Sequence, residues 1–166
     1  MKSLKTLVCA TSFAMCFGVA SMASAATIGP VGQTFSTPGG TITVKSPSSF
    51  QAPVTCSINF TGVVNANGTA TIKGATVGGS NALCSLPKMK NFPTPGWVLT
   101  ASSTTAGTVT NVGYTISSLV NTDCGPSTIQ VAWNGTTLSA SNQALSGNCT
   151  VSSLSVKPSP ALTITP

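Results

Sequence analysis

From residue 42 onward the chain places apolar side chains at every second position, run after run. Ile42 and Val44 begin it, followed by Cys56, Ile58 and Phe60, and by Ala70 and Ile72. Trp97, Leu99 and Ala101 continue the pattern, then Tyr114 and Ile116, then Ile129, Val131 and Trp133. The last runs are Val151, Leu154 and Val156, and Leu162 with Ile164. Thr and Ser fill most of the places between. A period of two is the signature of strands with one face buried and one face wet. No sustained helical period competes with it beyond the first 25 residues. Gly39-Gly40, Gly78-Gly79 and the Asn-Gly pairs at 67–68 and 134–135 punctuate the runs. Asn-Gly between strands favours a type I′ hairpin, because both residues tolerate positive φ. The expected fold is an all-β, sandwich-like antiparallel domain.

Charge is nearly absent. Of 166 residues, 7 are lysine, one is acidic (Asp123), and there is no arginine or histidine. Charged residues make up 5% of the chain, against roughly 25% in an average soluble domain. Acid–base chemistry near neutral pH commonly uses a histidine or paired carboxylates. Ser-His-Asp and Cys-His arrangements cannot be assembled here, and neither can the two carboxylates of a glycosidase. The expectation is a protein that is not an enzyme and carries no cofactor.

The first 25 residues have the three-part order of a Sec-type signal peptide. Lys2 and Lys5 make a basic start, Leu7 to Ala20 a short apolar core, and Ala23-Ser24-Ala25 a small-residue cleavage site. The apolar run is shorter than the ~20 residues of a spanning helix. Cleavage is expected after Ala25, with Ala26 the neighbouring option, and the mature all-β domain is expected at residues 26–166. That places it at the cell surface or outside the cell, with no transmembrane segment. The domain keeps Lys45, Lys73, Lys88, Lys90 and Lys157 against Asp123, a formal charge of 5 − 1 = +4. With no arginine and mostly scattered lysines, nucleic acid is not an expected partner.

An internal repeat runs through this domain. Residues 36–43 align with 103–110, Cys56 with Cys124, and Asn67-Gly68-Thr69 with Asn134-Gly135-Thr136. Cys84 aligns with Cys149, and Pro93-Thr94-Pro95 with Pro158-Ser159-Pro160. Two similar units of roughly 65 residues are expected, at about 34–100 and 102–165. Four cysteines in an exported chain point to two disulfides, with three connectivities open to them. In each unit one cysteine precedes the Asn-Gly turn and one follows it, which predicts Cys56–Cys84 and Cys124–Cys149.

Candidate contact residues come from two segments. The proline-rich stretch Leu86 to Pro93 carries Met89 and Phe92 between lysines and leads to Trp97; it reads as a long loop, with an apolar contact site at Met89, Phe92 and Trp97 as its functional reading. Core packing is the plainer account of Trp97 and of Trp133. Residues 27–36, with Ile28, Val31 and Phe35, are uncharged and partly apolar. They suit a strand donated to a neighbouring subunit, or equally an edge strand of their own domain.

The ordered segments also resemble a known family. They are the Met1-Lys2-Ser3-Leu4-Lys5 start, Ile42 to Phe50, Leu83 to Lys88, Gly113-Tyr114-Thr115-Ile116, Cys124-Gly125-Pro126, Asn142 to Gly147, and Lys157-Pro158-Ser159-Pro160. Together they are similar to the alkane-oxidation activators of pseudomonads and relatives, known as PraA and PraB. The resemblance implies an exported protein that aids growth on long-chain alkanes, by dispersing oil or by helping cells meet it. It also implies an association with biofilm and the cell surface. No haem, iron or flavin site is visible, so the implied role is access to the substrate. Two mechanisms fit. The first is a surface-active domain whose partners are hydrophobic surfaces or alkane droplets. The second is a subunit self-associating by strand donation into an extracellular fibre or biofilm matrix. A plain ligand-binding module is a third reading, without an aromatic or acid–base cluster in its favour.

Overall fold

The computed structural model describes residues 26–166, so the signal-peptide expectation, with Cys9, Cys16 and Ala25, lies outside the described residues. In chain order the strands are β1 (Thr27–Gly29), β2 (Thr34–Ser36), β3 (Gly40–Lys45), β4 (Val54–Val64), β5 (Ala70–Gly78) and β6 (Lys88–Met89). They continue with β7 (Trp97–Ala101), β8 (Ala106–Ile116), β9 (Thr122–Trp133), β10 (Leu138–Leu145), β11 (Cys149–Val156) and β12 (Thr163–Thr165). Short 3-10 turns occupy Pro47–Ser49 and Ala82–Ser85.

The all-β antiparallel fold expected from the alternation is present, and its walls come from one continuous barrel-like sheet. The hydrogen-bonded order is β3, β4, β5, β7, β8, β9, β10, β11, and β11 pairs back onto β3. Closure gives every strand of the ring a partner on both sides, though β5–β7 and β9–β10 are paired over only three and two positions. β2 extends the wall beside β4, and β6 lies on β8. β1 and β12 form a separate two-stranded ribbon.

Alternation decides which way each side chain points. In β4, Val54, Cys56, Ile58 and Phe60 are buried, while Thr55, Ser57 and Thr61 are exposed. In β9, Ile129, Val131 and Trp133 face in, while Thr128 and Gln130 face water. The apolar side chains from opposite walls merge into one core. This is an apolar inside and a polar outside, the reverse of the lipid-facing band of an outer-membrane barrel. No helix among the described residues is long and apolar enough to cross a membrane. The interior is filled: cavities among Phe60, Trp97 and Leu154 and among Phe35, Trp133 and Leu162 measure about 40 and 20 Å³. Ligand pockets run to about 300–1,000 Å³, so each of these two spaces is far too small for an alkane chain.

Both disulfides pair as the repeat suggests, Cys56–Cys84 and Cys124–Cys149. Gly40 and Gly107 stand at the starts of β3 and β8, and Cys56 and Cys124 are each the third residue of their strand. The second cysteines differ in setting: Cys84 sits in a 3-10 turn and Cys149 opens β11. The Asn-Gly pairs do mark hairpin ends, but the turn type is corrected. Gly68 and Gly135 have φ of 76° and 94°, whereas neither Asn67 nor Asn134 has positive φ. Asn67 Oδ1 accepts from Thr69 N–H and Asn134 Oδ1 from Thr136 and Thr137 N–H, so each asparagine serves as the side-chain brace of an Asx turn.

Because neighbours in the ring run antiparallel, the connections segregate to two ends. One end carries residues 46–53, 79–96, 117–121 and 146–148, and both disulfides. The other carries 65–69, 102–105 and 134–137 together with the β1–β12 ribbon. The first is called the loop end below.

Candidate functional site

The residues singled out for apolar contact lie together, but they face the core. Trp97 is buried, its Nε1–H donates to the Lys90 carbonyl at 3.0 Å, and its ring lies 4.8 Å from Phe92 and 5.7 Å from Phe60. Met89 pairs with Tyr114 of β8 and packs against the core, as does Phe92. Trp133 is buried as well. Of the N-terminal trio, Ile28 and Phe35 are buried in β1 and β2, paired within their own chain, and Val31 is exposed in the turn between them.

The exposed large apolar side chains tell a different story. They are Val31, Phe50, Leu86, Leu119 and Val120. All but Val31 sit on the loops of one end: Phe50 on 46–53, Leu86 on 79–96, Leu119 and Val120 on 117–121. Phe50 is 81% exposed and Leu119 fully so. Sequence reading missed this group as a site. The available signal was apolar residues standing out of phase between strand runs, in Pro47-Ser48-Ser49-Phe50-Gln51 and Ser117-Ser118-Leu119-Val120-Asn121.

The loops that carry them are tied down. Ser46 N–H donates to Ser49 Oγ at 3.2 Å, and Phe50 N–H and Gln51 N–H donate to the carbonyls of Pro47 and Ser46 at 2.9 and 3.0 Å. This turn holds Phe50 and Gln51 at φ of 51° and 63°. The left-handed region costs an L-residue roughly 1–2 kcal/mol, so it persists only where the surroundings enforce it. Ser48 supplies the enforcement between loops. Its hydroxyl donates to the Val120 carbonyl at 2.7 Å, and its N–H donates to Thr122 Oγ1 at 2.9 Å. Gln51 Nε2–H donates to the Asn148 carbonyl at 2.9 Å, joining the third loop. Cys124–Cys149 and Cys56–Cys84 fasten the strands below. An aromatic ring and two aliphatic side chains are thus displayed to water on a hydrogen-bonded platform. Exposed apolar groups collected at one place mark contact sites.

Charge at this end is one-sided. Asp123, the single acidic residue of the chain, is ion-paired with Lys90, whose Nζ also donates to the Gly125 carbonyl at 2.8 Å. Lys45 and Lys88 are exposed. On the barrel wall an open concavity of about 580 Å³ lies beside Phe35, Lys73 and Pro160, with Lys73 its one charged lining residue. It brings no group for acid–base chemistry together.

Beneath the loop end, Tyr114 is the chain's one tyrosine; burial pushes its phenol from 10.0 up to about 12, weakly opposed by the Ser46 side chain. Its hydroxyl has no partner of full hydrogen-bond geometry. A phenol whose pKa is raised by folding contributes stability that is whole below pH 10 and lost as pH climbs through about 12. At about 1.4 kcal/mol per unit this amounts to roughly 2–3 kcal/mol. Tyr114→Phe removes the ionisation, so its urea stability is expected to fall less steeply than wild type between about pH 10 and 12. At neutral pH it is expected to match or exceed wild type, since an unpaired buried hydroxyl is gone. Parallel pH profiles would contradict the assignment.

With the fold and the apolar platform in view, comparison with known proteins places the chain. The profile of the alkane oxidation protein activator PraA/PraB-like family matches residues 1–166, its whole length. The chain belongs to that family. No curated protein and no solved structure gives a significant match. For a PraA/PraB-like chain, the description speaks of activating alkane oxidation, and the two disulfides fit an oxidising compartment.

Proposed function

We propose that this PraA/PraB-like protein is an exported, non-enzymatic factor that adsorbs at oil–water boundaries through its loop end and so aids growth on long-chain alkanes. One observation carries the reading: Phe50, Leu86, Leu119 and Val120 are exposed together on loops held rigid by Ser48, Gln51 and the two disulfides. Family membership supplies the alkane, and the filled interior turns attention from carriage inside the barrel to contact at its surface. Export fits the same picture. Ala26 is buried with the core, so cleavage after Ala25 would keep all the core residues described in the mature chain.

The alternative is a fibre subunit that donates residues 27–36 to a neighbour. It requires Ile28 and Phe35 to leave the core, where each strand is already paired within its own chain. These observations favour the surface-active reading.

Flotation of the mature domain with hexadecane droplets tests it. Moving a side chain of this size out of water is worth about 1.5–3 kcal/mol. Phe50→Ser/Leu119→Ser is therefore expected to lower partition onto the droplets at least about 100-fold, with the circular dichroism of the folded barrel retained. A folded double variant that partitions like wild type would overturn the proposal.

A further inference from the structure

We infer that the loop end is built for an alkane droplet coated with fatty acid, an oil boundary carrying ionised carboxylates, rather than for bare oil. This deepens the reading above and rests on it. The observation is a pairing of apolar tips with unmatched positive charge at one end of the barrel.

The chain has a single acidic side chain, and Lys90 neutralises it at this end. No free carboxylate side chain is left there to repel an anionic surface. Lys45 and Lys88 remain exposed and sit just behind the apolar tips. Lys45 immediately precedes the loop that carries Phe50 and lies in register with Thr150, next to the 146–148 hairpin. Lys88 follows Leu86 by two residues and lies in register with Thr115, next to the loop that carries Leu119. The two remaining lysines among the described residues lie elsewhere, Lys73 on β5 in the wall and Lys157 after β11, toward the opposite end. A lysine keeps its ammonium in water while its stem lies along apolar surface. Lys45 and Lys88 are thus placed to meet head groups when Phe50 and Leu119 enter oil.

Terminal oxidation of an alkane leads to a fatty acid, whose tail stays in the oil and whose carboxylate sits at the water boundary. The loop end matches that layered chemistry, with an apolar tip and a cationic collar. Its grip on a droplet then strengthens as oxidised product collects there.

The test compares partition onto plain hexadecane droplets and onto droplets doped with ionised oleate, at low and high salt. Each basic residue near an anionic surface adds about 1 kcal/mol, so two are expected to strengthen binding about 30-fold on oleate droplets. High salt should erase the gain. Lys45→Gln/Lys88→Gln should lose the gain yet bind plain hexadecane like wild type, whereas Lys73→Gln/Lys157→Gln should keep it. Equal partition onto both droplet types would overturn this inference and leave the surface-active reading standing. No binding to either would remove both. A gain that survives in the Lys45/Lys88 variant and vanishes in the Lys73/Lys157 variant would overturn the placement of the site.

Discussion

Reduction of the two disulfides is expected to cost the domain most of its stability. Cys56–Cys84 and Cys124–Cys149 close segments of 28 and 25 residues. In the chain-entropy account each constrains the unfolded state by about 3–4 kcal/mol. Domains of this size are stable by about 5–15 kcal/mol in all, so losing both brings the folded state near its limit. The two bridges are not equivalent. β9 and β10 are paired as a ladder only at Trp133–Leu138 and Ala132–Ser139, far from the loop end. Nearer the loop end the gap is spanned by Gln130 N–H donating to Gln143 Oε1, Ser146 N–H to Ser127 Oγ, and Gly125 N–H to the Ser146 carbonyl. Cys124–Cys149 reaches from β9 to β11 across this weak seam. Cys124→Ala/Cys149→Ala should therefore release amide exchange along β9 and β10 as well as lower the urea midpoint. Cys56→Ala/Cys84→Ala, which frees the 3-10 turn from β4, should leave that seam protected. Identical urea midpoints before and after complete reduction, checked by free-thiol count, would refute the first expectation. Equal exchange at the seam in the two variants would refute the second.

Gly147→Ala is expected to cost about 2–5 kcal/mol, while Gly135→Ala costs about 1–2 kcal/mol. Both glycines sit in β-hairpin turns at similar positive φ, 85° and 94°. Backbone strain is therefore common to the two substitutions. What differs is space. A Cβ on Gly135 meets nothing within 4 Å, whereas a Cβ on Gly147 would overlap the Asp123 backbone carbonyl. That backbone belongs to β9 beside Cys124, so the hairpin must move away from the strand to which the next cysteine is bonded. The Gln51 bond to the Asn148 carbonyl would be disturbed with it. Thermal denaturation of the two variants side by side checks this, because equal losses would leave strain as the whole effect and remove the close approach from the account.

The strands that sequence reading identified are those with clean alternation. Ile129, Val131 and Trp133 are legible because β9 keeps its inward face there without interruption. β10 is not legible, for a local reason. Asn142 stands at φ 51° and is skipped in the register between Ser141–Ser153 and Gln143–Val151, so the phase that begins with Leu138 and Ala140 is broken before Leu145. The candidate contact residues follow a related rule. Met89 and Trp97 stand in short strands and Phe92 in the turn between them, and all three pack toward the core. The exposed Phe50 and Leu119 stand out of phase, where no strand face can bury them.

What the sequence alone determined is local or a matter of counting: alternation sets the strands, glycine and asparagine set the hairpins, and a near-total lack of acids and histidine limits the chemistry. The repeat suggested the correct cysteine pairs, since each unit can close its own bridge. The tertiary structure decided the rest. Ring closure through β11 and β3 joins residues more than a hundred positions apart and decides which loops share an end. Side-chain bonds from Ser48 to Val120 and Thr122 then bring Phe50 and Leu119 onto one platform, although 72 and 74 residues separate the bonded partners. The period of two says that a side chain points in or out, but only barrel closure says which outward-pointing residues become neighbours.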